Sequence, residues 1–298
     1  MHASTPCPTL LRDWAWRCGK IGSVVRQYLQ IGSRTLAYLD NDPGATAKPV
    51  LVLVHAFPLG AQMWEPQFRG AFHGWRILAP DLRGFGGSTD PRAEDVDPTI
   101  DDYAEDIAAL VREVAGGPVV LGGLSLGGYV AFAVMRRTPT LVRALILADT
   151  RAGADTLEGR AARRAMLTVL EHEGPQGVAR EMMPRLLGAT TREHNPDAEE
   201  TVRLLIKRQS PHAIRDAVVR MMDRPDSTAL LPSLHVPALI IVGEEDVLTP
   251  PAESEAIVAA MPKASLARIA GAGHLSNLEQ ATAFEASIDD FLANLPPA

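Results

Sequence analysis

The sequence predicts an α/β fold: a mostly parallel central sheet with helices on both faces and a helical cap insertion seated on it. Three observations predict this. Short, β-branched apolar runs recur along the chain and read as strands buried on both faces. Segments of helical periodicity with helix-start signals separate them. One long stretch carries helical segments and no strand pattern.

Residues 1–23 read as an N-terminal extension, rich in Pro, Arg and Trp and without clear periodicity. Either Trp14 and Trp16 cover an apolar patch, or the segment is a loose tail. Val24–Ile31 and Arg34–Asn41 predict a hairpin around Gly32. Val50–Val54, Trp75–Ala79, Val119–Leu121, Val142–Ala148 and Ala238–Val242 predict buried strands, and Ser265–Ile269 does so more weakly. Thr99 stands three residues before Asp102, an acidic variant of the capping box. Ile100, Tyr103, Ile107, Leu110, Val111 and Val114 then mark one helical face. Ser276 precedes Glu279 with the same spacing, and Phe284, Ile288, Phe291, Leu292 and Leu295 follow.

Residues 151–231 predict the cap, with helices at Arg160–His172, Val178–Leu187, Ala198–Gln209 and Ala213–Met222, punctuated by prolines. An insertion of this length exceeds an ordinary loop. The core then comprises residues 24–150 and 232–298.

Composition narrows the function classes. The chain is 46% hydrophobic and 22% charged, enough apolar material for a large core. Its net charge is −7, and nucleic-acid binding ordinarily needs a basic surplus. Apolar runs such as Val50–Val54 fall far short of the ~20 residues that span a membrane. The leading segment lacks the apolar stretch of a secretory signal. Both cysteines, Cys7 and Cys18, lie in that segment, so the core relies on no disulfide. These features predict a cytoplasmic protein with no nucleic-acid or membrane partner.

Gly123-Leu124-Ser125-Leu126-Gly127 follows the run Val119–Leu121 and opens a helical stretch. A serine hydroxyl is a poor nucleophile unless exposed, backed by a base and set beside an oxyanion site. A tight strand-to-helix turn presents it, and the flanking glycines admit close backbone. The plain alternative is a glycine-rich structural turn. Two further candidates also stand just beyond strands: Asp246 in Gly243-Glu244-Glu245-Asp246, and His274 in Gly271-Ala272-Gly273-His274. Open α/β sheets place their sites there. Asp149, after Val142–Ala148, competes with Asp246 as the acid behind His274; it could instead cap Asp149-Thr150-Arg151 or pair with Arg151.

Together these segments resemble the α/β-hydrolase superfamily over about residues 24 to 295. Within it, HAFPLGAQMW, DLRGFGGS, GLSLGGYVAF and ADTRAGADT are similar to a bacterial branch. That branch holds serine carboxylesterases, 3-oxoadipate enol-lactonase-like proteins and cofactor-free haloperoxidases. The resemblance implies a Ser125–Asp246–His274 triad, in this superfamily's chain order. It also implies an oxyanion hole built from the Phe57 and Leu126 amides; Pro58 has no N–H to offer. The branch usually reads His-Gly before the first donor, whereas here Ala56 replaces the glycine and adds a Cβ. His55 then reads as a loop-holding residue, as do Asp81 and Arg83. Serine in the elbow excludes the branches that use a nucleophilic aspartate.

The expected activity is hydrolysis of a small carboxylic ester or lactone through an acyl-enzyme, with no cofactor and no metal. Perhydrolysis is the enzymatic alternative, and a silent binding protein on the same scaffold is a third reading. Met63 and Trp64 are candidate pocket residues, with Met166, Met182, Met183, Met221 and Met222 as further apolar liners. Methionine is flexible and lines adaptable surfaces, yet core packing is the plainer reading of each.

Overall fold

A computed structural model describes residues 20–21, 24–69, 71–90 and 97–296. Cys7, Cys18, Trp14 and Trp16, on which the reading of the leading segment turned, lie outside them.

The sheet begins with β1 (Lys20–Ile21), inside the stretch read as an extension, which pairs antiparallel with β2 (Val24–Ile31). The expected hairpin joins β2 to β3 (Arg34–Asp40), with Ile31 opposite Arg34. The remaining strands are β4 (Val50–Val54), β5 (Arg76–Pro80), β6 (Val119–Leu124), β7 (Val142–Ala148), β8 (Ala238–Gly243) and β9 (Ala264–Ile269). Their order is β1-β2-β3-β5-β4-β6-β7-β8-β9. Pairing is parallel from β5 to β9 and antiparallel elsewhere. Every residue of β4, β5, β6 and β8 is buried, as expected of strands covered on both faces. Strand β6 runs three residues past its apolar run, because Gly122 and Gly123 pair with Leu53 and Val54 of β4.

The helices are α1 (Glu65–Phe68), α2 (Ile100–Leu110), α3 (Leu126–Arg137), α4 (Leu157–Leu186), α5 (Ala189–His194), α6 (Pro196–Lys207), α7 (Pro211–Met222), α8 (Pro251–Ala260), α9 (Ser276–Glu279) and α10 (Ala281–Ala293). At the start of α2 the Thr99 N–H donates to Asp102 Oδ2 at 2.9 Å, so that helix opens as its spacing predicts.

The similar spacing at Ser276 does something else. Ser276 is the first residue of α9 and its hydroxyl donates to Asp149. Glu279 accepts from the Leu275 and Gly188 amides. Ser276 thus makes a long-range bond in place of the expected cap, Glu279 caps the Leu275 N–H from within α9, and Phe284, Ile288 and Leu292 are buried on α10.

Helices α4 to α7 fill the interval between β7 and β8, and no described residue there is in a strand. The two segments expected at 160–172 and 178–187 are halves of α4, broken at Gly174 (φ 67°) ahead of Pro175. Helices α6 and α7 begin with Pro196 and Pro211, where the missing amide costs no helical bond. The short α5 carries no apolar period of its own.

The sheet order turns back at β4, flanked by β5 and β6. The loops after β4 and β6 therefore face one crevice, the usual ligand position in an open parallel sheet.

Candidate active site

Ser125 stands at the turn from β6 into α3 with φ 55° and ψ −108°, a strained conformation for a residue with a Cβ. Local packing enforces it. The Ser125 N–H donates to Ala148 O, and Thr150 Oγ1 donates to Ser125 O, both at 2.9 Å. The two glycines are sterically required: a Cβ on Gly123 would lie 2.2 Å from Gly127 O, and one on Gly127 would lie 2.2 Å from Val54 O.

Opposite, His274 Nε2 lies 2.8 Å from Ser125 Oγ. His274 Nδ1 lies 2.8 Å from Asp246 Oδ2. Asp246 also accepts the Leu248 and Thr249 amides at 2.7 and 3.0 Å, and the Thr249 hydroxyl at 2.6 Å. A carboxylate in that setting only accepts, so His274 carries its proton on Nδ1 and leaves Nε2 to accept from the serine. Burial works to raise the Asp246 carboxyl, but His274 and the Thr249 bonds outweigh it and hold it below the ordinary range. Ser125, Asp246 and His274, three residues distant in sequence, are thus brought into one hydrogen-bonded chain.

Asp149 does not reach His274 through any described bond. It is fully buried, with φ 45°, and accepts the Gly243 N–H at 2.8 Å and the Ser276 hydroxyl. It neither caps the following residues nor pairs with Arg151. Burial, then the nearby Asp246 charge, push its carboxyl well above the usual carboxylate range.

His55 is enclosed after β4. Its Nε2 accepts the Leu82 N–H at 3.0 Å, which leaves the proton on Nδ1 to donate to Ala56 O at 2.9 Å. Burial lowers its basicity, so the neutral ring is a fixed brace. Ala56 is fully buried and is not among the positive-φ residues; its Cβ therefore imposes no backbone strain. Asp81 accepts the Ala61 and Gly87 amides at 2.8 and 3.0 Å, and Arg83 pairs with Asp106 at 2.9 Å. Asp81 ties loops together as its position suggests, whereas Arg83 ties its loop to α2.

A cavity of about 190 Å³ opens over Ser125 and His274. Phe57, Met166, Met182 and Met221 supply apolar wall, and Tyr129, Leu248 and Thr249 also line it. Met63 and Trp64 are not there. Both are core residues, 0% and 1% exposed: Met63 Sδ accepts the Ala56 N–H at 3.1 Å, and Trp64 packs on Phe284. An apolar side chain near a motif is drawn to whichever interior is nearest, and here that is the sheet's packing layer. Met183 is likewise buried away from the cavity, and Met222 does not line it.

Several cavity residues lie beyond sequence reasoning: Arg151, Arg163 and Arg185 line it with Asp155. Only for Thr249 was a signal available, since a hydroxyl three residues after an aspartate commonly bonds back to it.

The chain was compared with known proteins. The sequence profile of the alpha/beta hydrolase family matches residues 51–287. A thermophilic esterase from Thermogutta terrifontis is 37% identical, with a TM-score of 0.82 over 90% of this chain and 98% of its own. The enol-lactonase from Burkholderia xenovorans LB400 is 25% identical, with a TM-score of 0.81 over 90% of this chain and 100% of its own. A pimeloyl-[acyl-carrier protein] methyl ester esterase of Neisseria meningitidis is 26% identical over 84% of this chain and 94% of that protein. With its mostly parallel sheet, its serine at the β6–α3 turn and a family profile spanning most of its length, this chain belongs to the alpha/beta hydrolase family.

Proposed function

We propose that the chain hydrolyses small carboxylic esters or lactones through an acyl-enzyme on Ser125. One observation carries this reading: the continuous Ser125–His274–Asp246 hydrogen-bonded chain, with both contacts at 2.8 Å, at the floor of a cavity. The ester-cleaving and lactone-cleaving relatives support the same chemistry.

In this mechanism Ser125 Oγ attacks the substrate carbonyl while His274 Nε2 takes its proton. Asp246 holds the imidazole in the Nδ1–H tautomer and stabilises the imidazolium that forms. The Leu126 amide, first in α3, has no acceptor within the helix ladder; with the Phe57 amide it receives the developing oxyanion. The protonated His274 gives its proton to the departing alkoxide. Water then enters, His274 takes its proton, and hydroxide attacks the acyl-enzyme. As the resulting intermediate collapses, the bond from the acyl carbon to Ser125 Oγ breaks, His274 returns its proton to Oγ and the acid leaves, so that ester and water become acid and alcohol.

Helices α4 to α7, residues 151–231, act as the cap that closes the cavity from above, with the sheet-bearing segments 24–150 and 232–298 as the core. The enclosed volume is small against the ~300–1,000 Å³ of drug-sized sites, which favours short substrates. The test is labelling with a fluorophosphonate probe followed by peptide mapping. Modification at Ser125 together with loss of ester hydrolysis supports the mechanism. A protein that hydrolyses esters and carries no label at Ser125 refutes it.

A further inference from the structure

The cavity inverts the charge of the molecule around it. The chain as a whole carries −7, yet three arginines and a single carboxylate line this space. The carboxylate is already committed. Asp155 takes Arg163 at 2.9 Å and Arg224 at 2.6 Å. Burial alone would raise its carboxyl; the two guanidiniums hold it below the ordinary range instead. Arg224 is itself fixed, lying 4.0 Å over the Tyr129 ring.

The other two arginines are less occupied. Arg185 is exposed on the second half of α4 and has no ion pair among the described residues. Arg151 gives Nη2 to the Leu248 carbonyl, and its Nη1 stands 3.9 Å from the half-exposed Glu253. Its Nε is buried with no acceptor. A buried guanidinium donor without a partner is costly, and the side chain as a whole still lines the cavity. Met166, Met182 and Met221 line the same cavity as these cations and Ser125.

We propose that the cavity selects esters that bear a second, anionic carboxylate at the far end of a short alkyl chain, held by Arg151 and Arg185. The inference rests on the hydrolase reading above for what happens at the ester end. The recognition is separate: a cationic cleft inside a low-dielectric wall concentrates anions, and guanidinium matches a carboxylate in shape as well as charge. A neutral ester of the same length can accept a hydrogen bond from these guanidiniums but forms no ion pair with them.

The experiment compares monomethyl glutarate with the methyl ester of glutaric acid monoamide, which matches it in shape and lacks the charge. In the wild-type chain kcat/KM for the carboxylate ester is expected to exceed that for the amide ester by at least about tenfold at low ionic strength. The advantage narrows as salt rises. Arg185→Gln and Arg151→Gln each lower the ratio of the two values. Calorimetric binding of both compounds to Ser125→Ala reads recognition without catalysis. If the wild type hydrolyses both esters at equal kcat/KM, the charge selectivity is wrong and the hydrolase reading survives. If it hydrolyses neither, yet Ser125→Ala binds the carboxylate ester more tightly than the amide ester, the recognition stands and the hydrolase reading fails. Equal binding of the two to Ser125→Ala overturns the inference.

Discussion

The Ser276 hydroxyl donates to the buried carboxyl of Asp149, and that one bond ties the end of β7 to the loop carrying His274. Asp149 takes the Gly243 amide with its other oxygen, so the loop carrying Asp246 is anchored there as well. Its neighbours Ala148 and Thr150 hold the Ser125 backbone. Residues 148–150 therefore register all three members of the hydrogen-bonded chain against one another, although Asp149 bonds to none of the three side chains.

The nucleophile assignment predicts that Ser125→Ala lowers kcat/KM on an activated ester by roughly 10⁴-fold or more. Circular dichroism and Tm should stay close to wild type, because the hydroxyl's only described partner is His274. Retained turnover in this variant would dismiss Ser125.

Two aspartates sit on the same side of the sheet and the structure separates their tasks. Asp246→Asn should cut kcat by up to ~10⁴-fold, since an amide favours the wrong imidazole tautomer. Asp149→Asn should cost far less, because an amide oxygen still accepts the Gly243 N–H. Kinetics of the two single variants decide it; a severe loss in Asp149→Asn beside a mild one in Asp246→Asn reverses the assignment.

Asp149 also carries a stability prediction whose sign follows from its raised carboxyl. An unfolded aspartate ionises near ~3.9. In the fold Asp149 keeps its proton to higher pH, so its contribution is fully present below that value and is lost as pH rises through the folded pKa. Asp149→Asn cannot ionise. Its Tm relative to wild type should therefore climb between pH 4 and pH 9. A flat or falling difference would mean the carboxyl is not held protonated.

Packing distinguishes the apolar residues that the sequence offers as pocket candidates. Met63→Ala should cost about 2–5 kcal/mol and Trp64→Ala about 3–5 kcal/mol of stability, through cavities left in the core. Met182→Ala enlarges the substrate cavity instead, and is expected to shift preference toward longer acyl chains in a graded ester series. Denaturant melts and that series check the division; a shifted preference in Trp64→Ala with unchanged stability would contradict it.

What the sequence determined by itself was local in origin. Buried parallel strands are short β-branched runs, so β4, β7 and β8 announce themselves to within a residue. The serine turn is legible because its two glycines answer clashes of 2.2 Å with backbone a few residues away or on the next strand. Asp246 follows such a strand, whereas the strand before His274 is a weaker signal, ASLARI with only Ile269 buried.

The tertiary structure decided everything that depends on which distant segments meet. No spacing in the chain reveals that Ser276 faces Asp149 across the fold, or that Glu279 gives its second oxygen to the distant Gly188 amide. Nor does composition separate a methionine in the core from one on a cavity wall, since both are simply removed from water. The cationic lining is the extreme case. Arg151 and Arg163 come from the segment leading into α4 and its first turns, and Arg185 comes from beyond the break at Gly174. Only the folded path of this segment and α4 brings three arginines scattered over residues 151–185 into the lining of one cavity.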